Sequence, residues 1–301
     1  MREPVDCLIV GAGPAGLTAA IYLARFRRSV LIADCGASRA KRVPRSHNLP
    51  GFPKGIRGED LLDRLSDQAA SFEISVRRCQ VEDLRRGSSA RFEARIDGDW
   101  APARSLILAT GVVDTIPVLP AIAEAIDKGV VRICPICDGY EARDGRIGVV
   151  GDGDHAAREA LFLRTYSRDV ELVVTPNAQL STAMTGALAE SHIKANRGEL
   201  SSVELHGHRV RVALSDEPGP VHFDILYAAF GVTPQTTLAG RLGAELDGEG
   251  RLRVGEHQET SIPGLFAAGD VVRGLNQISV AEGEASIAAC AVHTGLGRNP
   301  C

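Results

Sequence analysis

The sequence predicts an α/β fold of two dinucleotide-binding, three-layer domains, with the second domain inserted into the first. A strand, a glycine-rich turn and a helix follow one another twice, and the two turns begin at Gly11 and Gly151. Residues 264–270 form a later strand that ends in Gly-Asp, and a long helix of small residues follows. If this late segment completes the first domain, the second unit lies inside it. The predicted domains are residues 1–114 with 243–301, and residues 115–242.

Composition excludes several classes of protein. The chain has 301 residues, of which 44% are hydrophobic and 24% charged, so it is neither disordered nor dominated by membrane spans. The formal net charge is −4 and no basic cluster carries interleaved aromatics, which argues against nucleic acid and anionic membranes as partners. The first apolar stretch, 7–24, contains several glycines and follows acidic residues, so it is not a signal peptide and a cytoplasmic location is predicted.

The first unit begins with an apolar strand at Val5–Val10 and continues into a helix at 17–25. Between them, Gly11 permits the tight turn, Gly13 lets the backbone approach a pyrophosphate, and Gly16 lets the helix pack on the strand. The next strand, 29–33, ends at Asp34, which lies where an acid typically binds the ribose hydroxyls. An ordinary polar strand end is the alternative for Asp34.

Further elements follow the same logic of apolar runs bounded by turn residues. A helix is predicted at 59–70, and strands are predicted at 91–96 and 105–109. The second unit comprises a strand at 147–150, the turn residues Gly151, Gly153 and Ala156, a helix to 166, and a strand at 170–174. The last helix is predicted at 278–295.

Cys134 and Cys137 form the one closely spaced cysteine pair, and Asp138 follows directly. At this spacing two thiols can form a disulfide. Half of a zinc site is one alternative, but no second cysteine or histidine pair completes it, and no metal site is predicted. Two incidental core cysteines are the other alternative, and the adjacent carboxyl, which can move protons for dithiol chemistry, argues against it. Four further cysteines lie among apolar or small residues and are predicted to be buried and inert, namely Cys7, Cys35, Cys79 and Cys290.

The order of the motifs resembles the low-molecular-weight thioredoxin reductase family of flavin disulfide oxidoreductases. These motifs are GAGPAG (11–16), NLPGFP (48–53), ATG (109–111), CPICDGY (134–140), GDGDHA (151–156) and GLFAAGD (264–270). The resemblance covers almost the whole chain. It implies an FAD domain made of both chain ends, with a pyridine-nucleotide domain inserted between them, and a homodimer.

The resemblance also implies roles for individual residues. Cys137 is the thiol nearest the flavin, Cys134 is the interchange thiol that attacks external disulfides, and Asp138 donates and accepts the proton. Asn276 and Ile278 replace the arginine and alanine that the family carries around Gln277, so contacts with the flavin ring are expected to differ. The implied FAD-binding residues are Gly11, Gly13, Pro14, Ala15, Gly16, Asp34, Asn48, Val81, Gly111, Gly269, Asp270, Asn276, Gln277 and Ile278.

The second nucleotide site, at Gly151, Gly153 and Ala156, departs from the family pattern. Asp152 and Asp154 stand where a pyrophosphate would bind, although Asp154 also suits a helix cap. The family's arginines for the 2′-phosphate of NADPH are missing after the strand at 170–174, and Lys194 and Arg197 belong to another segment. Weak or absent use of NADPH is therefore predicted, with NADH, ferredoxin, a second flavin or oxygen as alternative electron partners.

The predicted function is that of an FAD-dependent, thioredoxin reductase-like disulfide or dithiol oxidoreductase acting through the CPIC pair, and its substrate is a protein or small-molecule disulfide or dithiol. The alternatives are a conventional NAD(P)H-dependent thioredoxin reductase, an oxygen-dependent dithiol oxidase and a flavin-binding redox sensor. One basic segment, with Arg39, Lys41, Arg42 and Arg45, is interpreted as a solvated loop near the FAD pyrophosphate, and docking of acidic ferredoxin is its alternative role.

Overall fold

The structure is a computed structural model that describes residues 3–87, 90–207, 209–215 and 219–297. The ends of the predicted first domain, residues 1–2 and 298–301, lie outside the described residues. The strands are β1 (Val5–Val10), β2 (Val30–Asp34), β3 (Val76–Arg78), β4 (Val81–Arg86), β5 (Phe92–Ile96), β6 (Asp99–Leu108), β7 (Val112–Asp114), β8 (Val131–Arg132), β9 (Ile147–Gly151), β10 (Val170–Val174), β11 (Lys194–Arg197), β12 (Leu200–His206), β13 (Arg209–Leu214), β14 (Val221–Phe223), β15 (Ile225–Ala229), β16 (Val232–Pro234) and β17 (Leu265–Ala267). The helices are α1 (Pro14–Arg25), α2 (Gly58–Ala70), α3 (Ile122–Asp127), α4 (Pro135–Asp138), α5 (Gly153–Leu163), α6 (Thr182–Glu190), α7 (Thr237–Arg241) and α8 (Ile278–Gly295).

The predicted α/β class is confirmed by two sheets of mainly parallel strands. The first sheet has the order β3-β2-β1-β6-β5-β4, and β17 adds to β6 in parallel, so the late segment joins the sheet formed by the start of the chain. The second sheet has the order β11-β10-β9-β15-β8, and all of its described pairings are parallel. The predicted domain boundaries at 114/115 and 242/243 stay a prediction.

Helices cover the first sheet because its apolar strand residues need burial on both faces. Helices α1 and α8 pack against each other on one face, where alanines such as Ala19, Ala285 and Ala289 are buried and allow a close approach. The predicted bounds of α8 are confirmed. Helix α1 begins three residues earlier than predicted, at Pro14, because proline has the backbone angle of the first helical position and needs no N–H there.

The second sheet also lies between two layers. Helices α5 and α6 and the strands of the sheet enclose one apolar cluster, and α3 and the antiparallel sheet β12-β13-β14 enclose the other. Strands β7 and β16, which lie between the two larger sheets in the chain, pair with each other in antiparallel register. Within the described part of the chain, no helix has the length and apolarity needed to cross a bilayer.

Candidate active site

The glycine turn between β1 and α1 is built for a close backbone approach. Gly11 has φ +105, and a Cβ there would lie 2.4 Å from the carbonyl oxygen of Ala109. A Cβ on Gly16 would lie 1.8 Å from the carbonyl oxygen of Gly11, so this residue allows the helix to contact the turn. The first turn of α1 therefore points its free N–H groups and positive dipole end out of the sheet, the arrangement that binds phosphate groups.

Asp34, at the end of β2, is part of the same turn. Its Oδ1 accepts a hydrogen bond of 3.0 Å from the backbone N–H of Ala12, and its Oδ2 lies 3.6 Å from Nη1 of Arg78. The carboxylate therefore has a fixed position beside the glycine turn. Asp34 also lines the neighbouring cavity.

A cavity of about 510 Å³ begins at this turn and extends to the cysteine pair. Gly16 is the only predicted FAD-binding residue outside its wall, because Gly16 contacts the turn behind it. The structure brings together the other predicted residues, which line the cavity: Gly11, Gly13, Pro14, Ala15, Asp34, Asn48, Val81, Gly111, Gly269, Asp270, Asn276, Gln277, Ile278, Cys134, Cys137 and Asp138.

Cys134 and Cys137 are joined by a disulfide at the start of α4. The side chain of Gln277, which precedes α8, donates hydrogen bonds to both sulfur atoms, at 3.5 Å to Cys134 Sγ and 3.4 Å to Cys137 Sγ. Asn48 in turn donates to Gln277 Oε1 at 2.8 Å and to the carbonyl oxygen of Ile136 at 3.3 Å. Residues far from the pair in sequence therefore hold it against the cavity.

Asp138 follows Cys137 directly and ends α4. Tyr227 donates a hydrogen bond of 2.8 Å to Asp138 Oδ1, and Arg132 donates one of 2.6 Å to its backbone carbonyl. Burial raises the pKa of Asp138 above its ordinary value, while the Arg132 charge and the Tyr227 hydroxyl act in the opposite direction. The carboxyl is thus a largely buried acid with polar partners, the kind of group that exchanges protons with a thiol.

The interpretation of the basic segment is wrong for Arg39. Its guanidinium forms a two-pronged contact with Asp114, with hydrogen bonds of 2.7 to 3.0 Å, and donates to Asp270 at 3.0 Å. Two carboxylates that are largely buried require a cation, and the sequence spacing of these residues gave no sign of that. Lys41, Arg42 and Arg45 are exposed, as predicted, although Arg39–Arg42 form a short 3-10 helix and not a loop.

Arg251 is a further residue of this region that sequence reasoning missed. It is buried, and its Nη1 donates to the backbone carbonyl of Asp270 at 2.6 Å and to Asn276 Oδ1 at 3.0 Å. The nearby Gly269 N–H donates to Glu284 Oε2 at 2.8 Å. These bonds hold the turn after β17 in place at the cavity wall.

The second glycine turn, at Gly151, Gly153 and Ala156, is separate from the cavity and is occupied by the chain itself. Thr175 donates a hydrogen bond to the carboxylate of Asp152, and the backbone N–H of Ser181 donates to Asp154 Oδ1 at 2.8 Å. Asp154 lies in the first turn of α5, which agrees with the helix-terminus alternative, but its carboxylate forms no cap hydrogen bond with the described residues of its own helix. It instead binds the residue that precedes α6, because the 175–181 loop folds back onto the turn.

Arg197 lies closer to this turn than its place in the sequence suggested. Parallel pairing of β10 and β11 sets Arg197 directly beside Val174. Its Nη1 donates to the carbonyl oxygens of Pro176 and Ala178, at 3.0 and 3.1 Å. The guanidinium thus stabilises the 175–181 loop.

The free cysteines only partly match the expectation of burial. Cys7 and Cys79 are buried, whereas Cys35 and Cys290 are exposed, which corrects the prediction for these two residues. Small apolar neighbours in the sequence do not guarantee burial, because Cys290 lies on the solvent side of α8. Burial raises the pKa of the Cys7 thiol to about 12, so Cys7 is unreactive at neutral pH.

Glu159 on α5 is a largely buried acid, and its buried Oε2 has no hydrogen-bond partner. Burial raises its pKa from 4.5 to about 7, so between these values the native protein binds a proton that the unfolded chain does not. Its contribution to stability is therefore present below pH 4.5 and is lost as the pH rises through 7. The neighbouring His155 has its Nε2 3.4 Å from Glu159 Oε1, and partial burial lowers the pKa of this histidine.

We expect Glu159→Gln to raise the thermal midpoint of unfolding by about 2–4 °C at pH 8 and to change it little at pH 5. A shift of this size corresponds to a change of about 1 kcal/mol in the free energy of unfolding of a domain of this size. Circular dichroism melting at both pH values measures this difference. Glu190→Gln, at an exposed position of α6, is the matched control and should show no such pH dependence. An equal shift at both pH values would contradict the assigned cause.

Comparison with known proteins agrees with this site. A family model described as pyridine nucleotide-disulphide oxidoreductase matches residues 5–285. The thioredoxin reductase of Mycolicibacterium smegmatis is 32% identical over 277 residues, which cover 89% of this chain and 88% of that protein. The bifunctional thioredoxin reductase/thioredoxin of Mycobacterium leprae (strain TN) is 31% identical over 296 residues, which cover 94% of this chain but 64% of that longer protein.

Solved structures show the same likeness. The crystal structure of thioredoxin reductase from Streptococcus pyogenes MGAS5005 superposes with a TM-score of 0.89 at 27% identity, covering 98% of this chain and 99% of that one. The match with the family model spans both glycine turns and the cysteine pair. The chain therefore belongs to the pyridine nucleotide-disulphide oxidoreductase family and is a thioredoxin reductase-like, flavin-dependent disulfide oxidoreductase.

Proposed function

We propose that the protein is an FAD-dependent oxidoreductase that interconverts a disulfide and a dithiol through Cys134 and Cys137, and that it uses NADPH poorly. One observation carries the first part: the disulfide and the first glycine turn line a single cavity. A dinucleotide bound at the turn would extend through this cavity as far as the two sulfur atoms.

The residues present fit FAD. The glycine turn and the N-terminus of α1 suit its pyrophosphate, and Asp34 beside them suits the ribose hydroxyls. Gly269 and Asp270 would contact the ribityl region, Val81 lines the cavity for the adenine, and Gln277 lies at the sulfur end for the ring. When bound, FAD supplies or accepts the electron pair that the disulfide exchanges.

The chain's own residues perform the thiol chemistry. When a substrate dithiol is oxidised, its first thiolate attacks Cys134 Sγ, the Cys134–Cys137 bond breaks, and Cys137 leaves as a thiolate. The second substrate thiol gives its proton to Asp138, attacks the substrate sulfur of the mixed disulfide and releases Cys134, which takes the proton back. The substrate loses two electrons, the protein disulfide gains them, and one proton enters solvent.

Several contacts support poor binding of NADPH. The 175–181 loop lies on the second glycine turn, and a Cβ on Gly153 would be 2.9 Å from the carbonyl oxygen of Gln179. Arg197, which pairs beside the end of β10, already binds two carbonyl groups of that loop. A pyrophosphate would have to displace the loop and face the carboxylates of Asp152 and Asp154.

The partner is proposed to be a thioredoxin-type protein, since the Mycobacterium leprae relative joins a thioredoxin to its reductase in one chain. Two exposed apolar side chains beside the disulfide, Ile136 and Tyr140, offer such a protein a contact surface. A homodimer and a cytoplasmic location are proposed from the family alone. A small dithiol is the other substrate class.

The test is anaerobic mixing of the purified flavoprotein with dithiothreitol. We expect loss of the visible flavin absorbance, because the dithiol reduces the Cys134–Cys137 disulfide and the electron pair passes to the flavin. Oxygen or an oxidised thioredoxin is then added to the reduced protein. Return of the absorbance with oxygen indicates a dithiol oxidase, and its return with oxidised thioredoxin indicates a reductase. Protein that binds no flavin, or a flavin that dithiol leaves oxidised, would contradict the proposal.

A further inference from the structure

Tyr227 is a polar residue in an otherwise apolar strand. Strand β15 has the sequence Ile-Leu-Tyr-Ala-Ala, and the Tyr227 side chain is fully buried. Its hydroxyl donates to Asp138 Oδ1 at 2.8 Å, across 89 positions of sequence. A buried hydroxyl needs a partner, and here the partner is the acid next to the cysteine pair.

Arg132 completes the arrangement from the neighbouring strand. In the parallel pairing of β8 and β15, Arg132 lies directly opposite Tyr227. Its Nη1 donates to the Asp138 carbonyl at 2.6 Å and to the Tyr227 hydroxyl at 3.4 Å, and its Nε lies 3.7 Å from Asp138 Oδ2. Both backbone and carboxylate of Asp138 are therefore tied to two adjacent strands of one sheet.

Two further ionisable groups act on the pKa of Asp138 from neighbouring segments. His47, from the loop before α2, and Glu141, from the turn after α4, affect its charge in opposite directions. They lie 3.8 Å apart, from His47 Nδ1 to Glu141 Oε1, so their effects on Asp138 partly cancel. Burial opposes the carboxylate form of Asp138, and Tyr227 and Arg132 are the directly bonded groups that favour it.

We propose that Tyr227 and Arg132 are positioning residues that fix the Asp138 carboxyl for proton transfer with the cysteine pair and set the pH range of dithiol–disulfide exchange. This rests on the proposed function. Exchange needs Asp138 as a carboxylate when it takes the proton of the second substrate thiol, and it then returns that proton to Cys134. Without Tyr227 and Arg132, the Asp138 carboxyl would stay protonated up to a higher pH. It would also no longer be held in one orientation.

The experiment measures the pH dependence of single-turnover reduction of the flavoprotein by dithiothreitol, for the wild type and Tyr227→Phe. The variant keeps the ring and removes one hydroxyl. We expect the acidic limb of the profile to move to higher pH by about one unit, since a lost hydrogen bond to the carboxylate favours the protonated acid. Arg132→Gln should move the limb further, and Arg132→Lys, which keeps the charge, should restore part of the shift.

Tyr166→Phe is the matched control, because the ring edge of Tyr166 lies over Gly139, next to Asp138, and its profile should equal that of the wild type. As a second readout, iodoacetamide alkylation of reduced Cys134 should show the same displaced inflection in Tyr227→Phe. A rate that falls equally at every pH, or an unchanged profile, would overturn the positioning role. If the wild type shows no exchange at any pH, the proposed function fails instead.

Discussion

We expect Cys137→Ser to abolish disulfide turnover, with a loss of at least about a thousandfold, the scale on which removal of a catalytic nucleophile acts. A serine hydroxyl cannot form the disulfide and leaves poorly as an alkoxide, so neither half of the exchange can proceed. Flavin content should be unchanged, because the glycine turn and Asp34 lie apart from the cysteine pair. Turnover with dithiothreitol and the visible spectrum of the same preparation measure both quantities.

The matched control is Cys290→Ser, which makes the same chemical change at an exposed position of α8. It should leave turnover within experimental error. Cys134→Ser refines the result, because it leaves Cys137 free beside the cavity while removing the interchange thiol. Full activity of either active-site variant would mean that the redox chemistry takes place elsewhere in the protein.

NADPH should bind this protein about 10²–10⁴-fold more weakly than it binds a reductase with a complete pyridine-nucleotide site. Two charge-assisted hydrogen bonds of about 1.5–3 kcal/mol each account for that range. No arginine stands at residues 175–177, directly after β10, and Arg197, which pairs beside the end of β10, is bonded to the 175–181 loop. Stopped-flow reduction of the flavin at increasing NADPH and NADH concentrations measures the apparent Kd of each.

A gain of function sharpens this test. Asn177→Arg introduces a guanidinium at an exposed position just after β10, and it should favour NADPH over NADH because only NADPH carries the 2′-phosphate. Gln68→Arg, on the exposed side of α2, adds the same charge elsewhere and should change neither affinity. Rapid flavin reduction by stoichiometric NADPH in the wild type would contradict the prediction and favour a conventional reductase.

The sequence identified those features that depend on neighbours along the chain. The glycine turns are visible because a backbone that needs φ +105 at Gly11, or a Cα packed against the turn carbonyl of Gly11 at Gly16, permits only one residue type. The CPIC pair is visible because its two thiols must reach one another within a single turn. The bounds of α8 followed from a long run of small helix-forming residues.

Only the tertiary structure decided which partners these residues meet. Arg39 and Asp270 are 231 positions apart, and Tyr227 and Asp138 are 89 apart, so no local pattern connects them. Parallel pairing places Arg197 beside Val174, although the two residues are far apart in sequence. There Arg197 binds the loop that lies on the second glycine turn. The physical reason is that backbone constraints act between consecutive residues and therefore show in the sequence. A buried charge, in contrast, is stabilised by whichever side chain the packed sheets bring within bonding distance.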